Sequence, residues 1–104
     1  MIDWGRVNEL KNEIGEDDFG EIAEIFLEEV DEVIARLKSN PDPSQFEHDM
    51  HLLKGSASNL GFQSLSEICD QNERTAASGQ GSQIQLDPVF TIYDQSKVEF
   101  LAKL

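Results

Sequence analysis

The sequence predicts an all-α chain, an antiparallel up-and-down four-helix bundle with a short additional N-terminal helix laid against it, on three observations. Apolar residues recur at three- and four-residue intervals along the long segments, the period of amphipathic helices rather than the alternation of strands. Capping residues, glycines and prolines separate those segments at helix-length intervals. The connections are short, so consecutive helices are expected to pack antiparallel on a common core. At 104 residues the chain has the size of one compact domain, and residues 1–104 are read as a single unit.

Each element has its own signals. Asp3 can cap a first helix over Trp4 to Ile14, which Gly15 ends. Asp18, with Glu21 three residues on, has the spacing of a capping box for a second helix that runs to about Ser39, before Asn40-Pro41-Asp42-Pro43 breaks it. Pro43 is placed as the first residue of helix three, with Asp42 as its cap and Gln45 at the box position, and Gly61 stops that helix. Ser64 and Glu67 repeat the box spacing to open helix four, which fades at Ser78-Gly79 into Gln80-Gly81-Ser82-Gln83. Asp87-Pro88 starts helix five, which is expected to reach the C-terminus.

The apolar stripes on these helices define the expected core. Helix two offers Phe19, Ile22, Ala23, Phe26, Val30, Val33, Ile34 and Leu37. Helix three offers Phe46, Met50, Leu53, Ala57 and Leu60. Helix four offers Leu65, Ile68, Cys69 and Ala76, and helix five Leu86, Phe90, Tyr93, Phe100 and Leu104. Ile25 and Leu27 fall outside the helix-two stripe. They either pack against flanking helices or, with Leu52 or Phe62, supply an apolar patch for a partner.

Composition narrows the function classes. With 21 acidic and 8 basic side chains the formal net charge is −13, so the long-range field repels nucleic-acid phosphates and anionic lipid surfaces. The lone Cys69 cannot close an intramolecular disulfide and sits in an apolar pattern, as a small buried hydrophobe. No signal-peptide pattern and no apolar run of bilayer length is present, so the chain is expected to be cytoplasmic. Gly79-Gln80-Gly81 is too short for a nucleotide fingerprint, and no glycine-rich Lys-Ser/Thr loop occurs, which leaves no visible means of binding ATP.

Chemistry enters on helix three. Taking about 100° per residue and setting the Phe46-Met50-Leu53-Ala57-Leu60 stripe at zero, His51 falls at about 140°, facing solvent. On the same reckoning Lys54 lies at about 80°, Ser58 at about 120°, Gly55 at about 180° and His48 at about 200°. Each residue type has a use if the imidazole accepts a phosphoryl group. An ordinary exposed imidazole offers a free nitrogen near neutral pH. Lys54, one turn along, can compensate the phosphoryl charge without fixed geometry. Gly55 removes a Cβ beside the ring, and a helix-interior glycine costs roughly 1 kcal/mol relative to alanine, so its position calls for a reason such as close approach of a partner.

The run His48-Asp49-Met50-His51-Leu52-Leu53-Lys54-Gly55-Ser56-Ala57-Ser58-Asn59-Leu60-Gly61 resembles the signature of the histidine-containing phosphotransfer (HPt) domains of phosphorelays. The resemblance implies a helical bundle with His51 as phosphoacceptor, Lys54 as the compensating cation and Gly55 as the clearance residue. Met50 departs from the smaller residue usual before the histidine, and its place on the core stripe makes this a packing variation. His48 is also exposed but lacks a cation and a glycine three and four residues on. It is assigned with Leu52, Ser58 and Phe62 to partner binding.

The implied function is transport of a phosphoryl group on His51 between receiver-domain aspartates of a hybrid sensor kinase and a response regulator. The alternative is a non-transferring module that sequesters a response regulator. The chain is expected to act as a carrier rather than an enzyme, and as a monomer. No cofactor of its own is expected, with Mg²⁺ held by the partner receiver, and no nucleic-acid or membrane partner. A metal site on His48 and His51 is disfavoured, because Gln45 stands three residues before His48 and both rings point outward.

Overall fold

The computed structural model describes residues 1–103 and is all-helical, with five α-helices: α1 (Trp4–Ile14), α2 (Glu16–Ser39), α3 (Phe46–Leu60), α4 (Gln63–Ala77) and α5 (Asp87–Ala102). Single 3₁₀ turns at Pro43–Gln45 and Gly81–Gln83 precede α3 and α5. The expected position of Leu104 in the helix-five stripe lies outside the described residues. None of the described helices is long and apolar enough to cross a membrane.

Glycine and aspartate set the boundaries where a backbone group needs them. The Asp3 carboxylate accepts from Arg6 N–H and caps α1. Gly15, at φ 95°, closes α1 onto the Lys11 carbonyl while its own carbonyl accepts from Phe19 N–H, so α2 opens at once. Asp18 is therefore inside α2, not its cap: the glycine turn starts the helix at Glu16 without any side-chain cap. Asp42 does cap, but it caps the 3₁₀ turn through Ser44 N–H, and α3 proper begins at Phe46 rather than Pro43.

The α3–α4 turn is the tightest point of the fold. Gly61 adopts the left-handed conformation at φ 79°, and a Cβ there would stand 2.8 Å from the Asp3 carbonyl oxygen. The N-terminal residues lie along this turn, Asp3 N–H donating to the Gly61 carbonyl and Ser64 N–H donating to the Met1 carbonyl. Ser64 consequently does not open α4, which starts one residue earlier at Gln63 with Phe62 in the cap position.

All five stripe residues of α3 are buried, together with Phe19, Ala23, Val30, Ile34 and Leu37 of α2 and Leu65 and Cys69 of α4. Val7 and Leu10 add the inner face of α1. On α5 the buried face is Val89, Tyr93, Ser96 and Phe100, displaced from the expected stripe by the half-buried Leu86 and Phe90. Phe62, fully buried, packs against Phe100 with ring centroids 5.3 Å apart and against Tyr93 at 6.4 Å. Aromatic pairs of this kind add to area burial.

Polar links tie neighbouring helices. Asp49 of α3, 1% exposed, takes two hydrogen bonds from the Arg36 guanidinium of α2 at 2.6 and 3.1 Å. Asp31 of α2 accepts from Tyr93 Oη at 2.6 Å and from Lys97 Nζ at 2.9 Å, both on α5. Burial, helped by Asp31, pushes the Tyr93 phenol well above its ordinary range. Burial likewise pushes the Cys69 thiol up to about 12, which leaves it an inert core residue.

Candidate functional site

The most extensive helix contact in the molecule is between α3 and α4, and it carries the candidate site. Three rungs cross it. Ser58 Oγ meets Ser66 Oγ at 2.7 Å, Lys54 Nζ meets Asp70 Oδ1 at 3.5 Å, and His51 Nδ1 meets Glu73 Oε2 at 3.0 Å. Along α3 the steps from Ser58 to Lys54 to His51 are four and three residues back, and along α4 those from Ser66 to Asp70 to Glu73 are four and three forward. Both series trace one face of a helix.

His51 stands at this face with its side chain 65% exposed. Among the described residues Nδ1 is bonded to Glu73, and Nε2 has no hydrogen-bond partner. The ring borders an open cleft with Ser44, Gln45, Glu47, His48 and Glu73. A Cβ built on Gly55 would meet nothing within 4 Å, so the surface one turn beyond the ring is clear.

Lys54 is close to the ring but is not a free cation. Its ammonium lies 2.5 Å from Glu73 Oε1 and 3.5 Å from Asp70. Asp70 in turn is paired with Arg74 at 3.1 Å. The bond to Glu73 raises the Lys54 pKa above the ordinary lysine value, and Lys54, with a smaller contribution from His51, holds the Glu73 carboxyl below the ordinary range. The lysine is charged and the glutamate ionised through the neutral range.

The remaining expected residues divide. His48 is exposed on the cleft beside His51. Leu52, 43% exposed, borders a groove between α2 and α3 with Val33, Glu29, Glu32 and Ser56. Ser58 is exposed but already bonded to Ser66. Phe62 is corrected: it is 0% exposed, because Gly61 turns the chain inward and the ring enters the aromatic core, where it can touch no partner. Of the two residues outside the α2 stripe, Leu27 packs into the core while Ile25 is 46% exposed.

The residues missed from sequence are Asp70 and Glu73 on α4 and the buried pair Arg36–Asp49. A signal for the first two was present in the mirrored four-and-three spacing of polar residues on successive helices. Asp49 lies about 60° from the centre of the α3 stripe, but an acidic side chain gave no reason to turn it inward until the packing of α2 supplied Arg36. Among the described residues no group of three or more His, Cys, Asp or Glu side chains is arranged to hold a metal ion.

A protein-family model described as Hpt domain matches residues 21–97. The match takes in α3 and α4 whole and most of α2 and α5, and leaves α1 outside. No curated protein and no solved structure gives a significant match.

Proposed function

Because the chain belongs to the Hpt-domain family, whose members carry phosphoryl groups in two-component signalling, we propose that His51 is its phosphoacceptor and that the domain relays phosphate between receiver aspartates of a hybrid sensor kinase and a response regulator. The observation that carries the reading is the exposed His51 ring with one unpaired nitrogen beside the open surface at Gly55. In the transfer the nitrogen lone pair attacks the phosphorus of a receiver phospho-aspartate. The acyl P–O bond breaks and its electron pair leaves on the carboxylate. Lys54 compensates the phosphoryl charge, and Gly55 gives the partner clearance.

The carrier contributes position, and the receiver contributes the catalysis and the Mg²⁺ that screens the moving phosphoryl group. No cofactor of the domain's own enters the scheme. Leu52 and Ile25, with His48 one turn before the ring and Ser58 two turns beyond it, form the docking surface for the receiver. The acidic Glu29 and Glu32 at its edge favour a partner with a basic rim.

Residues 1–104 act in this reading as one cytoplasmic, monomeric domain, an antiparallel four-helix bundle of α2 to α5 with α1 laid across it. The reverse order of the three α3–α4 rungs supports the antiparallel arrangement of that pair. The test is incubation with a radiolabelled phospho-receiver. The wild type should take an acid-labile label that His51→Gln loses completely, while both proteins fold alike. Undiminished label in His51→Gln overturns the assignment. Receiver binding without any label in the wild type supports sequestration instead.

A further inference from the structure

We infer that Asp70 is a positioning residue for this phosphoryl exchange: it draws the Lys54 ammonium away from the phosphoryl group, Arg74 weakens that pull, and the two together set how far phosphate rests on His51. The inference rests on the carrier function proposed for His51 and adds the groups that govern its compensating cation.

Two carboxylates hold that cation, and they are used differently. Glu73 offers Oε1 to Lys54 while its Oε2 faces the ring. Asp70, among the described residues, makes no hydrogen bond to the ring. Its Oδ1 stands 3.5 Å from the Lys54 ammonium, and its Oδ2 takes the Arg74 guanidinium at 3.1 Å. Asp70 thus couples a cation of α3 to a cation one turn along its own helix, and a stronger hold on one loosens its hold on the other. Glu73 foremost, and Asp70 after it, raise the Lys54 pKa above the ordinary lysine value, so both carboxylates act on the ammonium.

Stability does not account for the arrangement. The side chains of Lys54, Asp70 and Arg74 are 30%, 35% and 81% exposed, and ion pairs so open to water contribute little to folding. Charge balance is more telling. In the unphosphorylated protein Lys54 and Arg74 stand against Asp70 and Glu73, two cations against two anions. A phosphoryl group on His51 adds up to about two negative charges. Lys54 is the cation of the cluster that shares a helix with the ring, whereas Arg74 is tied to Asp70. For the ammonium to turn to the phosphoryl oxygens it gives up part of its contact with Asp70. The phosphorylated state is therefore stabilised only by the difference between what the ammonium gains there and what it leaves behind. An Asp70 already satisfied by Arg74 releases the ammonium readily, and an Asp70 without Arg74 retains it.

The test reads the ratio of label on His51 to label on the receiver once a radiolabelled phospho-receiver has come to equilibrium with the domain, so that rates of docking do not enter. Asp70→Asn should raise that ratio by about twofold to fivefold, the weight of a part-exposed ion pair. Arg74→Ala should lower it by a similar factor. Both substitutions break the same Asp70–Arg74 ion pair, so a role confined to supporting α4 gives both the same sign. In a Lys54→Ala background both effects should fall away, which a double-mutant cycle reads directly. No shift, shifts of one sign, or shifts undiminished without Lys54 overturn the inference in a protein that takes label. A wild type that takes no label overturns the carrier function itself, and the role assigned to Asp70 falls with it.

Discussion

Helix α3 carries two ionic links that differ in kind: Asp49 with Arg36 on one flank and His51 with Glu73 and Lys54 on the other. In the first, a carboxylate 1% exposed receives both arms of one guanidinium. Every strong group in it is used. In the second, a half-open cluster leaves Nε2 unbonded and divides one ammonium between two carboxylates. The first link can only hold α2 to α3. The second holds α3 to α4 while leaving one ring nitrogen open, and a link that does both has to remain incomplete.

Removing one partner from each link separates packing from chemistry, and the largest stability effect belongs to the closed link. Arg36→Ala leaves the Asp49 carboxylate buried without its cation, and should cost about 2–4 kcal/mol in a denaturant titration, less than a fully enclosed pair because the vacated space at the half-exposed arginine admits water. Phosphoryl label on the folded fraction should be unchanged. A loss of label matching the loss of stability would erase the distinction between the two flanks.

Lys54→Ala comes next. It should lower the transfer rate or shorten the lifetime of the phosphorylated form by about tenfold, the weight of one charge-assisted hydrogen bond. The apo-protein should melt only slightly below the wild type, because removing the side chain admits water to the Glu73 carboxylate at this partly exposed cluster. Parallel losses of stability and transfer would make Lys54 a structural residue like Arg36.

The smallest effect has opposite signs on the two axes. Gly55→Ala places a methyl group in open space within a helix, so the free domain should gain roughly 0.5–1 kcal/mol by thermal unfolding. Transfer from a receiver should slow, since the added carbon occupies the surface the partner approaches. A stabilised variant with wild-type transfer would show that the clearance serves no partner.

The same contrast explains what could be read in the sequence. Helical period placed all five core residues of α3 and set His51 on the outside, because those properties follow from one helix alone. Gly15 and Gly61 marked ends correctly, since each sits at a positive φ that other residues resist. Asp18 and Ser64 misled because capping chemistry competes with whatever else claims the backbone: a glycine carbonyl in one case, the Met1 carbonyl in the other. Phe62 misled because its direction was projected along a helix that Gly61 had already ended. Glu73 was invisible from α3, and Asp49 was hidden because its partner, Arg36, stands on another helix. Both belong to pairings between helices, which no single period encodes.

The mirrored ladder between α3 and α4 makes distance along the chain part of the geometry of the site. His51 and Glu73 are 22 residues apart, and the two meet because the interval between them holds a fixed number of steps up one helix, around Gly61 and down the next. One residue more or fewer in that turn rotates the faces against each other by about 100° and carries the carboxylate out of reach. The interval thus works as a ruler: the pairing of ring and carboxylate is written in the count of residues between them as much as in their identities.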